Sequence, residues 1–426
     1  MKHNLCHLFF LFVLLFHGNV VAQQQMMTPS PANYGFRSLS ISEIRNMATT
    51  NHPAVRQAAR QAEAFRGAWV QAGLQENPSI GYSGEEMSDK NMGKQGVTYT
   101  QPIVPKYKRT ARQSTIDKEY QAALKQYQVQ CQKVLNDATL AAYRVAFAQR
   151  KCRLMDDLSV IAQNSQRVGD ELLKAKEISR PAFLDIKIQS ERTKIVRGDA
   201  EIACRTASKE LAILLGLPED DAIEITDAVE TMPREILESD LLTRLKSSSP
   251  ELQKAYADVE TAKANLRQQS TESGIDYDTN AKVAYNNEAK NTEFSVGIAV
   301  PIKIFNRNQG NIQHARSELE AAQSNVARVE TKLAHRFEKQ LGEYQIARNR
   351  VVSYRDKILA EAGESLNLAQ DAYRRGEYNS LELLDAQRTY STVNIEYLEN
   401  MSSLMESQTL LEGSLLSGGL DSPGSE

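Results

Sequence analysis

The residue types that usually carry chemistry are thinly scattered in this sequence. Beyond residue 22 the histidines are His52, His314 and His335, and the last two, 21 residues apart, would lie about 30 Å apart on one helix. That separation is far beyond the reach of a shared metal ion. Neither a glycine-rich phosphate loop nor a nucleophile–base cluster occurs. The sequence therefore predicts no enzyme, no metal site and no cofactor.

Three cysteines, Cys131, Cys152 and Cys204, follow the first 22 residues. Cys131 and Cys152 would be about 30 Å apart on one helix and cannot pair. If the chain turns back near residue 178, Cys152 lies 178 − 152 = 26 residues before the turn and Cys204 lies 204 − 178 = 26 after it. The pattern predicts that Cys152 and Cys204 are neighbours, as a disulfide or as two thiols, with Cys131 free. The alternative is that both are small residues of a packing seam.

Three carboxylates belong to a stretch that occurs twice. Residues 177–188 (EISRPAFLDIKI) and 377–388 (EYNSLELLDAQR) match at an offset of 200, which pairs Asp185 with Asp385. Glu382 precedes Asp385 by three residues, so the two share one helix face. Taken alone, these carboxylates form an ordinary solvated face. Repeated around a symmetry axis, they would form rings that favour cations.

The duplication extends over most of the chain. The pairs His52-Pro53 and Ser249-Pro250 match at offset 197, and Pro102 and Pro301 match at offset 199. Three matches in the same order predict two structural repeats. The predicted divisions are a signal peptide (1–22), a linker (23–38), the first repeat (39–217), an inter-repeat linker (218–238), the second repeat (239–417) and a flexible tail (418–426).

The start of the chain resembles an export signal. Lys2 precedes an apolar run at residues 5–16, and Ala22 offers a small residue for cleavage. A mean hydropathy of −0.47 and 25% charged residues exclude a protein with several apolar membrane helices. A net charge of −3 gives no basic excess for nucleic acid. If the protein lies in a membrane, it does so as β-strands.

The sequence of each repeat predicts the same series of elements. A helix of about 30 residues (near Ser40–Leu74 and Glu238–Gln269) is followed by two strands, a very long helix and a shorter returning helix. Apolar residues at heptad spacing and the absence of proline from 108 to 176 predict the first long helix. The strands are expected at about 78–87, 95–104, 274–286 and 292–304. Period-two alternation in the last strand predicts a lipid-facing row. That row comprises Phe294, Val296, Ile298, Val300 and Ile302.

Four strands cannot close a barrel, and open edges are not tolerated in hydrocarbon. Three copies would supply twelve strands and twelve helical tracks. The predicted fold is mainly α with a small β part: a trimer with a 12-stranded outer membrane β-barrel, continued by a periplasmic α-helical barrel. The alternative is a soluble periplasmic coiled-coil protein with β excursions.

The duplicated unit resembles the TolC-type outer membrane efflux proteins over roughly residues 39–417. The most specific stretches are 300–310 (VPIKIFNRNQG) and 373–378 (YRRGEY). The first stretch, with the basic run 106–109 (KYKR), is similar to the heavy-metal cation efflux branch. The resemblance implies an outer membrane protein that extends into the periplasm. It would be the passive exit duct of a pump and would catalyse no reaction itself. A periplasmic adaptor (membrane fusion) protein and an inner-membrane transporter of the resistance–nodulation–division class would supply the cargo.

The resemblance also assigns roles to the turns. Those near 176–179 and 375–378 would form the periplasmic tip that meets the adaptor, through Lys176, Ser179, Arg375, Gly376 and Tyr378. Asp185, Glu382 and Asp385 would then form a periplasmic gate of carboxylate rings. Metal cations are the expected cargo, and ducts for drug efflux or type I protein secretion are the alternatives. A soluble adaptor would need a lipoyl-like β-domain, which the sequence lacks.

Overall fold

The computed structural model describes residues 37–85, 93–218, 223–227, 231–233, 235–236 and 241–420. The predicted signal peptide and residues 23–36 of the predicted linker lie outside these ranges. Among the described residues, none of the helices has both the length and the apolarity needed to cross a bilayer.

The same order of elements occurs twice in the chain. Most of these elements are helices, which confirms a mainly helical fold with a small β part. The first repeat contains α1 (Ile41–Asn51), α2 (Pro53–Gly73), β2 (Ser79–Glu85), β3 (Lys94–Ile103), α3 (Lys106–Lys174) and α4 (Arg180–Leu214). The second contains α5 (Leu241–Ser248), α6 (Pro250–Glu272), β5 (Tyr277–Asn286), β6 (Asn291–Ala299), α7 (Gln309–Ser353), a π-turn (Tyr354–Ile358), α8 (Leu359–Arg374) and α9 (Ser380–Glu412).

The first helix of each repeat is broken, where a continuous helix was predicted. Proline disfavours the helical conformation of the residue before it, so the chain is extended at His52 (ψ 128°) and at Ser249 (ψ 116°). Both side chains then cap the next helix. His52 Nδ1 accepts from the Ala54 N–H at 3.2 Å, and Ser249 Oγ accepts from the Leu252 N–H at 3.4 Å. Each break is therefore a proline-initiated helix start.

The four predicted strands form one antiparallel sheet in the order β2-β3-β5-β6. The last strand ends at Ala299, five residues before the predicted end at 304. Pro301 has no N–H to donate, so it cannot continue a ladder. Val300 and Ile302, predicted as strand residues, consequently lie beyond the strand.

The two predicted linkers contain a small sheet. Strand β1 (Arg37–Leu39) pairs in parallel with β4 (Ile223–Ile225), and Ser208 Oγ accepts from the Ile223 N–H at 2.8 Å. The first and last residues of β4, Ile223 and Ile225, are buried in the main apolar cluster, which is built mainly from α1, α3, α4, α7 and α9. Segments predicted as connections are thus part of the core.

The beginning of the predicted flexible tail is held against α3. Asp137 accepts from the backbone N–H of Gly418 and Gly419, at 3.3 and 2.5 Å. Asn136 Nδ2 donates to the carbonyls of Gly413 and Leu416, both at 2.7 Å. Residues 421–426 lie outside the described residues.

The long helix of the second repeat contains a π-turn, whereas α3 is a continuous α-helix of 69 residues. Before the π-turn, buried positions of the repeats correspond at offset 199. After it they correspond at offset 200, as the tip turns do. A π-turn holds about one residue more than an α-turn, so it accommodates this extra residue and keeps both flanking faces in register. The buried pairs are Val134/Leu333, Ala138/Phe337 and Val145/Tyr344 before the π-turn, and Ala162/Ala362 and Gly169/Ala369 after it.

Candidate membrane sheet and helical tip

The four-stranded sheet has one apolar and one polar face. Residues paired across antiparallel strands point to the same side, and the register aligns Phe294 with Val283, Val97 and Tyr82. The neighbouring position along the sheet aligns Ser295 with Lys282, Thr98 and Gly81 on the opposite face. The apolar face also carries these residues: Ile80, Tyr99, Ala281, Tyr285, Val296 and Ile298.

The predicted lipid-facing row is strongly exposed in the single chain. Phe294, Val296 and Ile298 are 78, 85 and 71% exposed on β6. Val300 and Ile302, although outside the strand, are exposed as well. Contiguous exposed apolar surface of this kind marks an interaction with a membrane or another chain. The assignment of this row to lipid stays a prediction.

The polar face carries charge pairs that the sequence reading missed. Lys94 Nζ lies 2.8 Å from Glu293 Oε2, and Lys282 contacts Glu85. Asn286 Nδ2 donates to Glu293 Oε1 at 2.9 Å. Their alternation with the apolar residues was the available signal, since charges at every second position indicate the wet face of a sheet.

A basic cluster fastens the sheet to the helices. Lys108 is fully buried, and its Nζ donates to Asp276 Oδ2 at 2.7 Å and to the Gly274 carbonyl at 2.8 Å. Arg112 binds both oxygens of Glu272, at 2.6 and 3.1 Å. These cations meet carbonyls and acids at the end of α6, where the helix dipole favours positive charge. The basic run recognised in the sequence is therefore a structural joint.

The two tip turns have the same hydrogen bonds. The Glu177 N–H donates to the Leu172 carbonyl and the Glu377 N–H to the Ala372 carbonyl, both at 2.9 Å. Such turns need a left-handed residue, which is Lys176 (φ 63°) in the first repeat and Gly376 (φ 74°) in the second. The predicted correspondence of Lys176 and Gly376 is therefore geometric as well as sequential.

The remaining predicted tip residues are exposed at the helix ends. Ser179 is the N-cap of α4, because its Oγ accepts from the Ala182 N–H at 3.4 Å. Arg375 forms two bonds to Glu377, at 2.9 and 3.0 Å. Tyr378 is solvent-exposed. Contact of these residues with an adaptor stays a prediction.

The three predicted gate carboxylates are all exposed, and they differ in their hydrogen bonds. Glu382 Oε2 accepts from the Asn379 N–H at 2.7 Å as part of a capping box at the start of α9. Their helices meet in one small apolar cluster, which contains Ile186 and Leu383. The pattern Asn-x-x-Glu could have revealed the capping role of Glu382.

Among the described residues, Cys131, Cys152 and Cys204 are free thiols. Burial raises the pKa of Cys204, the charge of the Cys152 thiolate raises it further, and Arg153 lowers it. Burial also raises the pKa of Cys152, and the negative charges of Asp156 and Glu201 raise it further. Arg197 Nε binds Asp156 Oδ1 at 2.5 Å, which ties α4 to α3 close to Cys152. A proximity close enough for cross-linking stays a prediction.

No group of three or more His, Cys, Asp or Glu side chains in the described part of the chain could hold a metal ion. His314 contacts Glu318 at 3.1 Å on the same helix. His52 is a buried cap. His52 and His314 thus have local structural partners.

Comparison with known proteins agrees with this architecture. The outer membrane efflux protein family matches residues 241–415. The cobalt-zinc-cadmium resistance protein CzcC of Cupriavidus metallidurans is 21% identical over 270 residues, which span 63% of this chain and 64% of that relative's length.

Solved structures resemble the chain over almost its whole length. The TM-score is 0.73 with CusC at 15% identity (90% of this chain, 93% of CusC) and 0.76 with a membrane protein from Pseudomonas aeruginosa at 14% identity (91% and 98%). VceC of Vibrio cholerae gives 0.70 at 14% identity (89% and 96%). These likenesses establish the fold, and with the sequence match they confirm the resemblance recognised from residues 300–310 and 373–378. Residues 241–415 are thus similar in sequence to the outer membrane efflux protein family, and the fold resembles solved outer membrane channels over about nine-tenths of the chain.

Proposed function

We propose that this protein is the outer membrane channel of a tripartite efflux pump, a passive exit duct that performs no reaction. The observation that carries the proposal is the two-faced sheet. One face exposes Phe294, Val296 and Ile298, while the other carries Lys94, Lys282 and Glu293. An apolar outside and a charged inside are what a water-filled membrane barrel needs.

The free edges of the sheet support a trimer. Strands β2 and β6 are the edge strands of the described sheet, each with backbone groups that no other described strand satisfies. In hydrocarbon such edges must pair, and pairing β6 of one copy with β2 of the next closes a ring. Three copies give twelve strands, with the long helices continuing the tube into the periplasm.

We infer that the cargo is heavy-metal cations. The similarity to CzcC, a cobalt-zinc-cadmium resistance protein, and to CusC favours metals over drugs or secreted proteins. A periplasmic adaptor and an inner-membrane transporter of the resistance–nodulation–division class would deliver the cargo. The adaptor would meet the tip through Lys176, Ser179, Arg375, Gly376 and Tyr378.

Deletion of the gene and growth on graded cobalt, zinc, cadmium, copper and common drugs tests the function. We expect sensitivity to metals, restored by the wild-type gene. A strain sensitive only to drugs would favour the drug-efflux alternative. A strain with neither defect would remove the efflux proposal.

The barrel orientation has its own test. An arginine at Ile298 should cost roughly 2–4 kcal/mol if that side chain faces the bilayer core. An arginine at Gly297, on the polar face, displaces the flexible end of Asn280 and should be tolerated. Equal damage by both substitutions would contradict the assigned faces.

We also propose that Asp185, Glu382 and Asp385 form cation-favouring rings at the tip. Because Glu382 also caps α9, its removal would confound gating with helix stability. The sharper test is Asp185→Asn with Asp385→Asn in planar bilayers, with Glu171→Gln, an exposed carboxylate of α3 paired with Arg167, as control. Cation selectivity or conductance should change only in the double variant. An unchanged channel would remove the gate assignment.

A further inference from the structure

The segment between β6 and α7 exposes apolar side chains to solvent, whereas loops usually expose polar ones. Ile302, Ile304 and Phe305 are 82, 60 and 89% exposed. Single exposed apolar residues are common, but three within four residues of an irregular segment form a patch. Ile302 also continues the period-two row of Phe294 and Ile298, so the patch extends the apolar face of the sheet.

Two polar side chains of this segment, Lys303 and Asn308, bind the backbone at the end of α6. Lys303 Nζ donates to the Glu272 carbonyl at 2.7 Å and also to the Gly274 carbonyl. Asn308, with φ 62°, donates through Nδ2 to the Gln269 carbonyl at 2.7 Å. A lysine beside water normally extends its ammonium group outward, and here the protein binds it instead. This inverted polarity suits a surface that faces an apolar medium.

The segment is also held in a defined shape. Gln309 Nε2 donates to the Phe305 carbonyl at 3.1 Å, and its Oε1 accepts from the Arg307 N–H at 2.8 Å. The Ile304 N–H donates to the Ile302 carbonyl at 3.0 Å. The exposed side chains are therefore presented by a fixed backbone.

Other exposed apolar residues lie at the same level. Leu74 follows Gly73, whose carbonyl accepts from Arg109 at 2.9 Å. Ile275 follows Gly274, whose carbonyl accepts from Lys303 and Lys108. The Tyr107 ring is exposed, and its hydroxyl lies against Gly274. We call the exposed apolar residues of these segments the junction collar: Leu74, Ile275, Ile302, Ile304 and Phe305.

We propose that the junction collar inserts into the periplasm-facing phospholipid leaflet of the outer membrane and anchors the protein at a fixed depth. The collar lies at the sheet end from which the long helices begin, where a membrane barrel meets the head groups. Exposed Lys106 and Arg307 adjoin it and match the negative phosphates of those head groups. The inference rests on the proposed membrane location of the sheet.

Tryptophan fluorescence tests the collar. Trp69 is the single tryptophan of the chain, so Trp69→Phe gives a silent background. In that background, Phe305→Trp is reconstituted as the full protein in phosphatidylethanolamine–phosphatidylglycerol vesicles brominated near the head group or near the acyl-chain end. We expect loss of emission with bromine near the head group and a shift of the emission to shorter wavelength. Ile302→Trp should behave alike, which guards against failure of one variant.

Two reference positions separate the possible failures. Ile298→Trp on the sheet should be quenched by the deep bromines, and Leu368→Trp on α8 should be quenched by neither set. If Ile298→Trp is quenched while Phe305→Trp is reached only by aqueous acrylamide, the collar faces water and the inference is wrong. If neither lipid bromines nor acrylamide quench Phe305→Trp, another copy of the chain covers it, and this result also contradicts the inference. An unquenched Ile298→Trp would instead remove the proposed membrane location.

Discussion

The two repeats build the same tip from different local chemistry. The first reaches its turn through the continuous α3 and places Lys176 in the left-handed conformation. The second passes through a π-turn and uses Gly376. Yet the turns have matching hydrogen bonds, and buried positions correspond on both sides of the π-turn. Helix register at the tip is therefore maintained more strictly than sequence or helix regularity.

The largest expected effect is the difference between deleting one residue in α3 and deleting one residue in the π-turn. Asp356 lies in the π-turn, and Asp157 is its equivalent in α3 at offset 199, exposed like Asp356. Removing Asp356 should convert the π-turn into a regular α-turn and leave both flanking faces in register. Removing Asp157 should rotate the rest of α3 by about 100° and expose its buried side.

Thermal unfolding in detergent distinguishes these deletions. Deletion of Asp157 displaces Leu158, Ala162 and Gly169 from their contacts and should cost at least about 3 kcal/mol, because buried leucines alone are worth that much. Deletion of Asp356 should retain near wild-type melting and assembly. If both deletions are equally damaging, the π-turn does not hold an extra residue.

A smaller effect is expected from exchanging the left-handed residues. A side chain with Cβ pays about 1–2 kcal/mol in this conformation, whereas glycine does not. Lys176→Gly should therefore stabilise the first turn, and Gly376→Lys should destabilise the second by a similar amount. Hydrogen exchange at the Glu177 and Glu377 amides reports each turn separately. Opposite signs are expected, so a loss of protection in both variants would mean that Lys176 makes a contact that outweighs its strain.

The sequence revealed the order of elements because the duplication repeats every signal. Period two located the sheet, and heptad spacing located the long helices. The prediction of unbroken first helices was wrong although the signal was present, since Pro53 and Pro250 each follow a residue able to cap. The final strand was predicted too long because Pro301 was treated as part of the alternation.

Other features depend on contacts that no local pattern contains. Strands β1 and β4 have three residues each and exist only through pairing between distant segments. The burial of Lys108 follows from acceptors 166 and 168 residues away. The π-turn is different, because the offsets 199 and 200 already differ by one residue. That difference was visible in the sequence but could not be assigned to a position without the buried faces.

The helix starts at His52 and Ser249 predict a pH effect in one repeat only. Burial lowers the pKa of His52 below its ordinary 6.5, and Asp137 opposes this shift. The unfolded chain then binds the proton more readily than the folded chain. Neutral His52 therefore contributes to the free energy of unfolding. The contribution is fully present above pH 6.5 and is lost as the pH falls from 6.5 through the lowered pKa.

Hydrogen exchange in the first turn of α2, corrected for intrinsic rates, should therefore accelerate on acidification, while that of α6 should not. Loss of a cap costs about 1 kcal/mol. His52→Ser copies the second repeat and should abolish the difference. Persistence of the acid effect in His52→Ser would assign it to another group.

The smallest effect concerns Cys152 and Cys204, which have apolar counterparts in the second repeat. At offsets 199 and 200, Cys152 and Cys204 correspond to Val351 and Leu404, both fully buried in the main apolar cluster. This correspondence supports a packing seam, and from it we predict that the two thiols lie at facing positions of α3 and α4. Dibromobimane fluoresces when it bridges two neighbouring thiols, so the purified protein should become fluorescent. Cys152→Val and Cys204→Leu, which copy the second repeat, should each remove the signal, and Cys131→Ser should retain it. A signal that survives both of the first two substitutions would mean that Cys152 and Cys204 are not neighbours.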